Sequence, residues 1–122
     1  MATIEVLVKD PGKAPVIQKV ENTLEALQEL IGGNIETVTI PETNIVMLVD
    51  EEGRIKGLPA NFEHYLLKQT IVGRAVFTGC KGYDFSDFPK KNRFEFMEVL
   101  PLLDPVHWGN RKEGLWTTQK RS

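Results

Sequence analysis

At 122 residues, with 41% hydrophobic and 26% charged side chains, the chain has the size and make-up of one globular domain rather than a disordered segment. A net charge of −2 argues against general affinity for nucleic acid or anionic membrane, and the single cysteine, Cys80, excludes an intrachain disulfide. No apolar run approaches the roughly 20 residues needed to cross a bilayer, and the opening MATIEVLVKD has no basic stretch followed by an apolar one, so the expected address is the cytoplasm.

Residues 3–9 alternate as a strand, with Ile4, Val6 and Val8 on one face and Leu7 as the exception. Pro11-Gly12-Lys13 supplies turn chemistry, and residues 16–20 form a second β-rich run, so the two are expected to pair as a hairpin. Asn22 is a good helix N-cap, and Glu25 stands where a capping box would place it. Leu24, Leu27, Leu30 and Ile31 recur at helical spacing, and Gly32 or Gly33 should end the helix in the left-handed conformation. Residues 35–40 read as a strand stopped by Pro41, and 45–49 as a continuously apolar, buried central strand.

Asp50-Glu51-Glu52-Gly53 turns the chain into a short return around Ile55. Beyond Leu58-Pro59 a short helix is expected over 62–68 and one strand over 70–78, with Gly73 a bulge or close-approach point. Ser86 or Asp87 caps a further expected helix carrying Phe94, Met97 and Leu100, ended or kinked by Pro101. Residues 105–122 are too polar for a core of their own, and must dock on the domain or a neighbouring subunit, or be disordered. The expected fold is α+β: a single domain over 1–122 with a mostly antiparallel sheet, opened by a hairpin-helix-strand unit over 1–40, and two or three helices packed on it.

Reactive chemistry is sparse. His64, His107 and Cys80 lack the close spacing of metal ligands, Gly32-Gly33 lacks a dinucleotide-binding context, and nothing local marks Cys80 as a nucleophile. The expectation is therefore no enzyme, no metal and no cofactor. Two basic clusters stand out in an acidic chain: Lys90, Lys91 and Arg93, then Arg111, Lys112, Lys120 and Arg121. They suit a small anionic ligand or merely solvated faces. Lys91-Asn92-Arg93-Phe94 combines a cation, an amide, a guanidinium and a ring, and Trp108, Asn110 and Arg111 repeat the combination. Arginine clamps phosphate, and an aromatic face stacks a base. Equally, Phe94 could be helix core and Trp108 a tail anchor.

The runs ENTLEALQELIGGNIETVTI, NIVMLVDEEGRIKGLPAN and QTIVGRAVF resemble a family of small phage and prophage domains. Within it are the Thoeris anti-defence sponge proteins of the first type. The resemblance covers residues 3–77. It implies a non-enzymatic protein that sequesters a cyclic ADP-ribose isomer intact in the bacterial host cytoplasm, as a homodimer or a hexamer built as a trimer of dimers. Cyclic oligonucleotides are a further implied ligand. Carried onto this chain, Asn92, Arg93 and Arg111 would make polar and phosphate contacts, and Phe94 or Trp108 would stack. Asn61 would be either a ligand contact or a loop-fixing residue, and Arg54 and Lys81 would form a second, cyclic-oligonucleotide site between dimers. The alternative is an interaction protein that inhibits a host protein or a nucleic-acid-linked process.

Overall fold

A computed structural model describes residues 2–64 and 69–103, with backbone alone for His64. Its strands are β1 (Thr3–Lys9), β2 (Val16–Glu21), β3 (Ile35–Thr39), β4 (Ile45–Asp50), β5 (Ala60–His64), β6 (Gln69–Val72), β7 (Ala75–Lys81) and β8 (Asp84–Ser86). The helices are α1 (Leu24–Ile31), α2 (Gly53–Lys56) and α3 (Arg93–Val99), the last flanked by 3-10 turns over Lys90–Asn92 and Leu100–Leu103. The fold is α+β. The main sheet runs β2-β1-β7-β4-β3, with β8 paired to β7 and every pairing antiparallel. β5 and β6 form a separate two-stranded sheet.

The late strand β7 enters between two early hairpins, pairing with β1 on one side and β4 on the other. It is buried from Ala75 to Gly79, and β4 is buried along its whole length. Successive strand side chains point to opposite faces, so a strand buried throughout means that the sheet is covered on both sides. Val6, Val8, Val46, Leu48 and Val76 pack against Leu27 and Ile31 of α1. The alternate residues Leu7, Met47 and Phe77 face the other layer, where Phe62, Phe88, Phe96 and Leu100 lie. Leu7 breaks the alternation of β1 because its face is buried too.

α1 joins β2 at one edge of the sheet to β3 at the other. Its N-cap is Thr23, whose hydroxyl accepts from the Ala26 amide at 3.1 Å. The expected cap, Asn22, instead donates its side-chain amide to the Phe85 carbonyl, 3.0 Å away, tying the helix start to β8. Gly32 closes the helix at φ 93°, a region that costs residues with a Cβ. A Cβ on Gly33 would lie 2.7 Å from Lys56 Nζ and 3.0 Å from Asp50 Oδ2, so the second glycine is there for close approach.

Three further expectations change. Residues 60–64 are strand β5, not the start of a helix over 62–68. The strand expected over 70–78 is two, β6 and β7, because Gly73 turns the chain at φ 72° and donates its amide to the Pro59 carbonyl. Ser86 lies in β8 and Asp87 accepts from the Glu5 amide at 2.9 Å, so neither caps the last helix, which begins at Arg93. That helix also turns a different face inward: Phe96, Met97 and Leu100 pack on the core, while Phe94 is 78% exposed. Among the described residues no helix is long and apolar enough to cross a membrane.

Candidate functional site

A cleft of about 310 Å³ opens between α3 and the sheet face opposite α1. Phe62 of β5 and Phe77 of β7 line it from the sheet side, and Ile40 and Thr43 from the turn joining β3 to β4. The remaining wall is α3 with its flanking turns, contributing Asn92, Glu95, Phe96, Val99, Leu100 and Leu103. Phe96 is held edge-on against Phe77 and Phe88, with ring centroids 5.3 and 5.1 Å away, a geometry that favours aromatic pairs. The volume lies at the lower end of small-molecule sites and suits one ring system rather than a whole dinucleotide.

Polar groups are few in this lining. The Thr43 hydroxyl is committed to its own turn, donating to the Ile40 carbonyl at 2.8 Å and accepting from the Ile45 amide at 3.1 Å. Asn92 is the N-cap of α3 yet makes no side-chain capping bond. Among the described lining residues, Glu95 brings the one charge and no cation is present.

The structure separates the residues that the sequence grouped. Asn92 lines the cleft, but Arg93 turns to β1, where its guanidinium ion-pairs with Glu5. Phe94 stands in solvent and does not line the cleft. Asn61 is fully buried: it accepts from Lys9 Nζ at 2.9 Å and donates to the Lys9 and Gly73 carbonyls at 2.6 and 2.8 Å. Its whole carboxamide is spent on holding the loop between β6 and β7 against the end of β1. Trp108 and Arg111, with His107, Asn110 and the second basic cluster, lie outside the described residues. Arg54 is exposed on α2 and donates to the Thr70 carbonyl at 2.7 Å. Lys81 is exposed at the far end of β7, roughly 20 Å along the strand from Ala75. Within one chain Arg54 and Lys81 do not meet.

Two ion pairs serve the fold away from this site. Arg74 grips Asp10 through Nε at 2.6 Å and Nη2 at 3.1 Å, and donates Nη1 to the Leu30 carbonyl at 3.0 Å. Lys56 bonds Asp50 at 2.7 Å and the Gly32 carbonyl at 3.3 Å. Both cations therefore meet the carbonyl end of α1, where positive charge is favourable and the helix supplies none of its own. The Arg74 hydrogen bond holds the Asp10 carboxyl below its ordinary value, and Asp10 in turn raises Arg74. The Lys56 hydrogen bond lowers Asp50 in the same way, against the opposing effect of burial. Cys80 is half-buried, its thiol 3.2 Å from the Gly82 carbonyl, and no group of His, Cys, Asp and Glu suited to a metal occurs among the described residues.

Glu95 and Phe96 are site residues that the sequence alone did not single out. Their signal was the spacing Asn92, Glu95, Phe96, Val99, which is one stripe of a helix and becomes legible once the helix start is placed at Arg93. A family model described as a domain of unknown function (DUF3846) matches residues 4–100. The chain belongs to this family. The match spans both hairpins, α1 and α3, so it takes in most of the cleft wall. Comparison with curated proteins and with solved structures gives no match.

Proposed function

We propose that this member of the family is a binding protein that holds a cyclic ADP-ribose isomer intact. The adenine ring would enter the cleft, and the pyrophosphate would stay at its mouth, toward the exposed Lys90 and Lys91 beside Asn92. The observation that carries the reading is the cleft itself, an aromatic-walled space of about 310 Å³ with a free carboxamide at one end. Stacking against such a wall contributes roughly 1–3 kcal/mol per base, and burial between two copies of the chain would slow release further. The ligand class comes from the resemblance of residues 3–77 to the sponge family, and so does assembly as a dimer or hexamer in a bacterial cytoplasm. Arg93 is given no phosphate here, because Glu5 already holds its guanidinium.

The test is calorimetry against a panel of cyclic ADP-ribose isomers, followed by heat release and mass analysis of the bound molecule. The reading expects one isomer to bind and to be recovered unchanged. A cleaved product would make the protein an enzyme, and silence across the panel would remove the sponge reading. A second reading, an interaction protein inhibiting a host partner, is favoured by the solvent-facing rings of Tyr83 and Phe94. It expects Phe94→Ser to abolish partner capture while leaving nucleotide binding intact.

A further inference from the structure

The α3 wall of the cleft is graded along its length. Asn92, Glu95, Phe96 and Val99 fall at i, i+3, i+4 and i+7, so they share one face. Leu103 continues the lining into the following 3-10 turn. The polar groups sit at one end of this stripe, and the other end is hydrocarbon. Asn92 and Glu95 stand one helical turn apart, with Cβ atoms about 5–6 Å from each other. Neither side chain is engaged by another described residue.

We infer that the Asn92–Glu95 end of the cleft reads a ring edge that donates N–H, selecting an amino-substituted ring over its oxo counterpart and keeping phosphate out. A carboxylate only accepts, whereas a carboxamide both donates and accepts. Together they complement an edge that presents an amine beside a ring nitrogen, the pairing by which asparagine recognises adenine elsewhere. On that edge, where the amine stands beside N7, an oxo group sets its lone pairs against those of Glu95 and the N1–H of the oxo ring points away. A phosphate drawn inside would face the same carboxylate with no cation among the described lining residues, and burying an unpaired anion is costly. The apolar end toward Leu103 takes the ring's unsubstituted side.

This inference rests on the cleft being the ligand site, and matched probes separate the two claims. Adenine and hypoxanthine have nearly the same shape. Hypoxanthine exchanges the amine for an oxo group and carries its donor at N1 instead, so the amine–N7 edge loses its donor. Saturation-transfer NMR and calorimetry of the full chain with each give a direct comparison. Adenine should bind on the order of tenfold more tightly, a modest ratio because Glu95 is exposed. Glu95→Gln, which can donate to a carbonyl, should bring the ratio close to one. Val99→Trp fills the mouth from a position 42% exposed and should abolish both signals, with a melting curve confirming that it folds. Equal affinity for the two bases, both lost in Val99→Trp, would overturn the donor-edge inference and leave the cleft as the ligand site. Failure of both bases to bind, or adenine binding that survives Val99→Trp, would overturn both.

Discussion

On one face of the sheet α1 is capped at each end, buries Leu27 and Ile31, and has its last carbonyls held by cations from α2 and from the turn between β6 and β7. On the other face α3 has no side-chain cap, buries no residue fully, leaves Phe94 in solvent, and keeps Val99 42% exposed in the lining of an open cleft. The same sheet serves both, so the difference lies in what each helix is for. The α1 side has its helix ends held and its inward stripe covered, with Leu24 left 60% exposed at the first turn. The α3 side keeps a carboxamide and a carboxylate unspent beside a cleft walled by Phe62, Phe77 and Phe96.

The contrast is tested most strongly by emptying the closed face. Leu27 is 1% exposed, and Leu27→Ala should cost about 3 kcal/mol in urea unfolding. Val99→Ala, its counterpart over the cleft, should cost less than about 1 kcal/mol. Similar costs at the two sites would mean that the cleft is as well packed as the core, and the comparison would fail.

Next in size is the clamp on the end of α1. Lys56→Met leaves the Asp50 carboxylate, whose side chain is 2% exposed, with the Glu52 amide but no cation. The cost should be about 1–3 kcal/mol at pH 7, moderated because Lys56 itself is 36% exposed. Asp10 and Asp50 are both lowered in the folded protein. Their contribution is therefore full above the unfolded carboxyl value of about 3.9 and is lost as pH falls through the folded value. Denaturation at pH 7 and pH 3 should show the gap between wild type and Lys56→Met closing in acid. A gap of equal size at both would sever the pair from stability.

How far the sequence displayed this asymmetry depends on what pairs with what. β4 was legible because a strand covered on both faces is apolar nearly throughout, β1 because Ile4, Val6 and Val8 alternate, and Gly32 ended α1 as its position suggested. The cap slipped by one residue because Asn22 and Thr23 are both competent, and the choice is made by the Phe85 carbonyl far along the chain. The region 60–72 misled for a similar reason. Phe62, Leu66 and Leu67 have helical spacing, yet Asn61 is drawn into the core by Lys9 and two carbonyls, which commits the segment to β5. Arg93 and Phe94 looked like ligand contacts beside Asn92, but one helical turn sends three neighbouring residues in three directions. Only tertiary pairing, such as the Glu5 ion pair, decides which of them reaches the cleft.

The two helix starts supply a smaller effect. Thr23→Ala removes an observed capping bond and should cost about 1 kcal/mol in the same unfolding assay. Asn92→Ala removes a cap residue that makes no such bond, so its cost should stay within about 0.5 kcal/mol. That near-neutrality is the informative result. Cap positions favour asparagine because it bonds the first turn, and an asparagine there that leaves α3 unbonded is free for some other partner. If Asn92→Ala unfolds the protein as readily as Thr23→Ala, the carboxamide belongs to the helix and the cleft loses its polar end. If stability is unchanged while adenine binding weakens, the open face owes its chemistry to a side chain that the fold does not need.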